Sequence, residues 1–137
     1  ADLTSLTALH ILRLPVELVL HEAGERGLVP LGMTYSGHNF DIVSGLSAVI
    51  MTAWLRSNRP PGRSVLIVWN LVCLGLLLAV VVTAVGAIPS AVQAWNFVLR
   101  APWVLLPGVL VPTVLWAHVT ALVKLLGPRA AGVGAVR

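Results

Sequence analysis

Four residues in and just after the first apolar run have types and spacing that could do chemistry together: His10, Arg13, Glu17 and His21. Arg13 and Glu17 stand four positions apart, on one helical face, where a guanidinium and a carboxylate can pair. His10 and His21 are eleven positions apart, and at about 100° per residue they return to within about 20° of each other. Glu17 lies between them on the same stripe. Imidazoles change charge near neutral pH, so a His/Arg/Glu stripe inside an apolar helix suits a proton or ion path. Asn70 lies about five residues into a later apolar run and His118 about six residues before Lys124, which puts both at the depth of His10, with Arg13 a turn deeper. Two imidazoles at one depth on different helices are also the ligand set of a b-type haem, so His10 and His118 are candidate cofactor ligands. The third use is structural, each polar group bonding a neighbour and holding the helices together. The expected buried polar cluster is therefore His10, Arg13, Glu17, Asn70 and His118, and a haem or other pigment stays open as its cofactor.

A second set follows the first run. His21, Glu22, Glu25, His38 and Asp41 offer nitrogen and oxygen ligands, and His21, Glu22, His38 and Asp41 form the candidate metal set. Their spacing matches no H-E-x-x-H or comparable ligand pattern. Asn39 or Asp41 can instead cap the helix that follows, accepting from its free backbone N–H groups. Cys73 is the one cysteine and lies within an apolar run, where it reads as a small buried hydrophobe. No nucleophile elbow, Walker loop or other catalytic signature occurs, so no catalytic residue is assigned and an enzyme is not the favoured reading.

The elements that must position these residues follow from composition. The 137 residues are 58% hydrophobic and only 10% charged, against about 45–50% apolar and about 25% charged in soluble domains. The charges punctuate apolar runs long enough to cross a bilayer. The reading is all-α: one domain, residues 1–137, a bundle of four transmembrane helices over about 3–20, 40–55, 65–87 and 103–126. Residues 90–100 (SAVQAWNFVLR) have the pattern of a short helix in the interface. Pro60-Pro61-Gly62 make the turn between the second and third spans. The fourth span is expected to kink at Pro107 or Pro112, and Pro15 frees the carbonyl of Ile11 on the first. Two stripes of small residues, Ser44/Ala48/Thr52 and Gly75/Ala79/Thr83/Ala87, would let helices approach closely. Trp54, Trp69, Trp95 and Trp103 fall near span ends, where an aromatic belt is expected. Trp116 sits deeper.

The net charge of +4 reads as membrane orientation, not as a nucleic-acid footprint. With the 56–63 turn placed inside, Arg56, Arg59, Arg63, Lys124, Arg129 and Arg137 lie on the cytoplasmic side, against Arg26 and Arg100 outside. The expected location is the bacterial inner membrane, multi-pass, with the C-terminus cytoplasmic and the 22–38 and 88–102 loops outside.

The stretches HILRLPVELVL (10–20), GLVP (27–30), MTYSGHNFDIVSGL (33–46), VWNLVCLGLLL (68–78) and PWVLLPGVLVPTVLWAH (102–118) resemble a family of uncharacterised small bacterial integral membrane proteins. Tyr35 and His38 stand where that pattern carries Phe and Arg. The resemblance implies a multi-span membrane protein and carries no activity. Three functions compete: an accessory or structural subunit of a larger membrane complex of respiratory or photosynthetic type, a small transporter or proton-path protein, and a haem-binding membrane protein. Lipid and other transmembrane subunits are the expected partners.

Overall fold

The computed structural model describes residues 2–28, 40–86 and 104–127, with backbone alone at 83–86. It is all-α, with four helices and, among the described residues, no strand. Helix α1 runs Leu3–Glu25, α2 Asp41–Leu55, α3 Arg63–Gly86 and α4 Leu106–Leu126. Three of these are long and apolar enough to cross a membrane, and α2 is a shorter apolar helix. The expected 90–100 helix, Asn39 and His38, Trp95 and Trp103, and Ala87 lie outside the described residues.

Local chemistry sets the ends. Asp2 caps α1, its Oδ1 accepting from the Ser5 N–H at 2.8 Å. That bond holds the Asp2 carboxyl below the usual carboxylate range. Where α1 stops, Gly27 N–H bonds Gly24 O and Leu28 N–H bonds Ala23 O, with Gly27 at φ +69°. This is a Schellman end, and the left-handed position calls for glycine. Within α1, residues His10–Leu12 tighten into a 3₁₀ turn between Leu3–Leu9 and Arg13–Glu25. The tightening falls where Pro15 cannot donate to Ile11 O. In α4, Leu106–Leu110 forms a wide π turn, with Val111 N–H bonded to Leu106 O. It contains Pro107 and ends two residues before Pro112, and a proline's missing N–H displaces the regular ladder.

The helices alternate in direction. Leu3 at the start of α1, Met51 and Leu55 near the end of α2, Leu66 near the start of α3 and Leu125 at the end of α4 pack in one cluster. A second cluster joins Leu6 of α1 to Ala117 and Ala121 of α4. Arg63 also donates to Gly127 O at 3.2 Å, tying the start of α3 to the end of α4.

The two small-residue stripes part company. Ser44, Ala48 and Thr52 are buried, and Gly45 beside them lies against Leu14 of α1. Gly75 and Ala79 face outward, and Gly75 has no atom within 4 Å of where a Cβ would sit. The buried face of α3 is instead Leu66, Asn70, Cys73 and Leu77. Most of the outward surface of α3 is large and apolar, including Val68, Leu71, Val72, Leu78 and Val82.

Candidate functional site

The polar face of α1 points into the bundle. Arg13 is 1% exposed, His10 1%, Glu17 2%, Asn70 2% and His118 0%. A buried guanidinium is costly without a partner. Arg13 Nη1 donates to Asp41 Oδ1 at 2.7 Å, a short charge-assisted bond between α1 and α2. The expected carboxylate was Glu17, one helical turn along α1; the contact is to Asp41 instead. Two features explain this. An Arg that precedes its carboxylate by four positions has the weaker helical orientation. Asp41 also lies on the buried stripe that continues through Ser44, Ala48 and Thr52, the face of α2 that meets α1. That stripe is the sequence signal by which Asp41 could have been placed in the cluster. Asp41 is the first residue of α2, and the cap position belongs to Phe40, which makes no side-chain cap bond. An acid in a first turn still faces the positive end of the helix.

The network continues to the other two helices. Arg13 Nη2 lies 3.5 Å from His118 Nε2, its longest link. His118 Nδ1 lies 3.0 Å from Asn70 Oδ1, and Asn70 Nδ2 donates to Leu66 O at 2.9 Å. Directions follow from the donors. A guanidinium can only donate, so His118 Nε2 accepts. Leu66 O can only accept, so the Asn70 amide turns its nitrogen there and its oxygen to His118. His118 Nδ1 must then carry the proton. The chain of bonds runs Arg13 to His118 to Asn70 to Leu66 O, with His118 as the neutral Nδ1–H tautomer.

His10 is held differently. Its ring stacks on His118 with centroids 3.9 Å apart and planes at 22°, and meets Trp69 edge-on at 5.6 Å. Neither His10 ring nitrogen has a hydrogen-bond partner among the described residues. Trp69, expected in an aromatic belt, is half-buried against this pair and donates its Nε1–H to Ser47 Oγ at 3.1 Å. Trp54 stays exposed at the end of α2, and Trp116 faces outward.

A bis-histidine haem does not fit this arrangement. Axial ligation needs two ring nitrogens aimed at an iron from opposite faces of a macrocycle. Here the rings lie face to face, and both His118 nitrogens are already engaged. Of the metal set, His38 lies outside the described residues, and two of the described members point elsewhere. Glu22 pairs with Arg26 at 2.7 Å on the surface, while Asp41 turns inward to Arg13. Among the described residues no three His, Cys, Asp or Glu side chains come together to hold an ion.

A family model described as a domain of unknown function (DUF8737) matches residues 1–126. The chain belongs to this family. The match takes in every member of the network, from His10 to His118, so the site lies within the DUF8737 domain and is not an appendage to it. No curated protein and no solved structure matches the chain. The family description carries no activity, and the resemblance read from the sequence carried none.

Proposed function

We propose that this DUF8737 chain is a membrane-embedded helical subunit of a larger assembly in the bacterial inner membrane, and that the Arg13 network is the lock that sets its helices. One observation carries the reading. The network takes one side chain from each helix: Arg13 from α1, Asp41 from α2, Asn70 from α3 and His118 from α4. From Arg13 one branch ends on the Asp41 carboxylate and the other runs through His118 and Asn70 to a backbone carbonyl, as suits a structural polar core in a low-dielectric interior. The apolar outward faces of α2, α3 and α4 then meet lipid or other spans.

The test is site-specific photocross-linking in native membranes. A photoreactive residue at Val72 or Leu78, both outward on α3, should give an adduct with another transmembrane chain, and one at buried Leu77 should give none. Lipid adducts alone from both outward positions, together with a monomeric particle in mild detergent, would sink the subunit reading.

The orphaned nitrogens of His10 favour a second reading, a proton path through the stacked imidazoles. His10→Phe keeps an aromatic ring in the stack and removes both nitrogens. In proteoliposomes, a proton flux present in the native chain and absent from His10→Phe supports the path. No flux from the native chain leaves the lock as the sole role of the cluster.

A further inference from the structure

The end of the bundle where α1 starts, α2 turns into α3 and α4 stops is strongly basic. Arg56 and Arg59 are exposed there, without an ion-pair partner among the described residues, and Lys124 is exposed in the last turn of α4, at the same end of the bundle. The chain holds five acidic residues. Glu17 and Asp41 are buried, and Glu22 and Glu25 sit at the far end of α1. Only Asp2 lies at the basic end, and its carboxylate is already bonded to the Ser5 N–H.

The turn that carries the two arginines is also held in shape. Trp54 Nε1–H donates to Arg59 O at 2.9 Å, Ser57 Oγ–H donates to Trp54 O at 2.8 Å, and the Arg59 N–H donates to Ser57 Oγ at 3.3 Å. The exposed indole therefore stays at the end of α2, where tryptophan meets the headgroup layer of a bilayer. Farther along both flanking helices outward side chains are apolar, among them Ile50 on α2 and Val65 and Val68 on α3.

From these contacts we propose that the Arg56–Arg59 turn binds the phosphate headgroup of an anionic phospholipid, with its acyl chains laid along Ile50, Val65 and Val68. Two unpaired guanidinium groups on a braced turn offer positive charge and forked N–H donors to a phosphodiester. The adjoining apolar strip matches the acyl chains and selects a lipid over free phosphate. The proposal rests on the membrane reading above, and the experiment separates the two.

Purified protein in neutral detergent is titrated with phosphatidylglycerol or phosphatidylcholine, and bound lipid is read by native mass spectrometry. A parallel sample is reconstituted in pure phosphatidylcholine nanodiscs. The expected result is preferential retention of phosphatidylglycerol, weakened by salt. Arg56→Gln with Arg59→Gln should lower that affinity on the order of 10- to 30-fold. Arg56→Lys with Arg59→Lys should keep most of it, and Arg26→Gln at the opposite end should leave it unchanged. Equal retention of both lipids by the native chain overturns the proposal. So does an undiminished preference in the double Gln variant, an equal loss in Arg26→Gln, or full displacement of the lipid by inorganic phosphate at matching concentration. Failure to enter phosphatidylcholine nanodiscs at all would instead count against the membrane reading.

Discussion

Arg13 and Asp41 form a buried ion pair, and such pairs respond unequally to single and double replacement. Asp41→Leu alone leaves a guanidinium in an apolar interior and should cost about 3–5 kcal/mol. Arg13→Met combined with Asp41→Leu removes both charges and should recover most of that loss, because well-packed apolar replacements of buried pairs are often neutral or stabilising. Unfolding midpoints in detergent, compared across the two singles and the double, measure it. A double variant as unstable as Asp41→Leu would mean that the pair is not the unit of stability. At His118 the bonds demand the Nδ1–H tautomer. Nitrogen NMR of histidine-labelled protein should show Nδ1 protonated and Nε2 bare at neutral pH, and Asn70→Leu should release that preference. A protonated Nε2 in the native chain would contradict the direction of the whole network.

At the scale of elements, the approach of α1 to α2 depends on the small side of α2. A Cβ built on Gly45 would come 2.9 Å from Leu14 Cγ and Cδ2 and 3.3 Å from its backbone nitrogen. The backbone cannot swing aside as a side-chain tip can, so Gly45→Ala should destabilise by about 1–3 kcal/mol. Gly75→Ala meets nothing and should be neutral or slightly stabilising, since alanine is the better helix former. Thermal melts of the two variants side by side test the contrast, and equal effects would place the close contact elsewhere. The 3₁₀ turn at His10–Leu12 has a related consequence. It changes the angular relation between residues before and after it, so a uniform 100° step no longer relates His10 to Arg13 and Glu17.

For the molecule as a whole, the alternating helices put Arg56, Arg59, Arg63 and Lys124 at one end and Glu22, Glu25 and Arg26 at the other. We propose, from the positive-inside rule, that the 56–63 turn is cytoplasmic. In a Cys73→Ala background, Ser57→Cys should react with a membrane-impermeant maleimide only after the cells are opened. Ser57 lies in the exposed turn, so access is not limited by burial. Labelling of intact spheroplasts at this position would invert the orientation.

Much of this was legible from the chain alone. Apolar runs punctuated by Pro60-Pro61-Gly62 and by the polar 21–38 segment dictate four helices, because backbone groups in apolar surroundings must bond within their own segment. The spacing of His10, Arg13 and Glu17 marks one face of α1 as polar, and common depth puts Asn70 and His118 near it. Those are properties of helical periodicity and rise, which a sequence carries directly. Partner choice is not. Asp41 read as a cap or loop ligand because its position in the sequence says only that a helix begins there. Its pairing with Arg13 depends on how far α2 slides along α1, which the Gly45–Leu14 contact decides. Likewise, His10 and His118 had to lie close, but whether their rings would face an iron or each other depends on side-chain torsions and on the bonds that hold His118 to Asn70. The same holds for the small residues of the two stripes, alike as patterns, of which Ser44, Ala48 and Thr52 are buried while Gly75 and Ala79 face outward. Which one meets a neighbouring helix is settled by the rotation of each helix about its own axis, and only the packed bundle fixes that rotation.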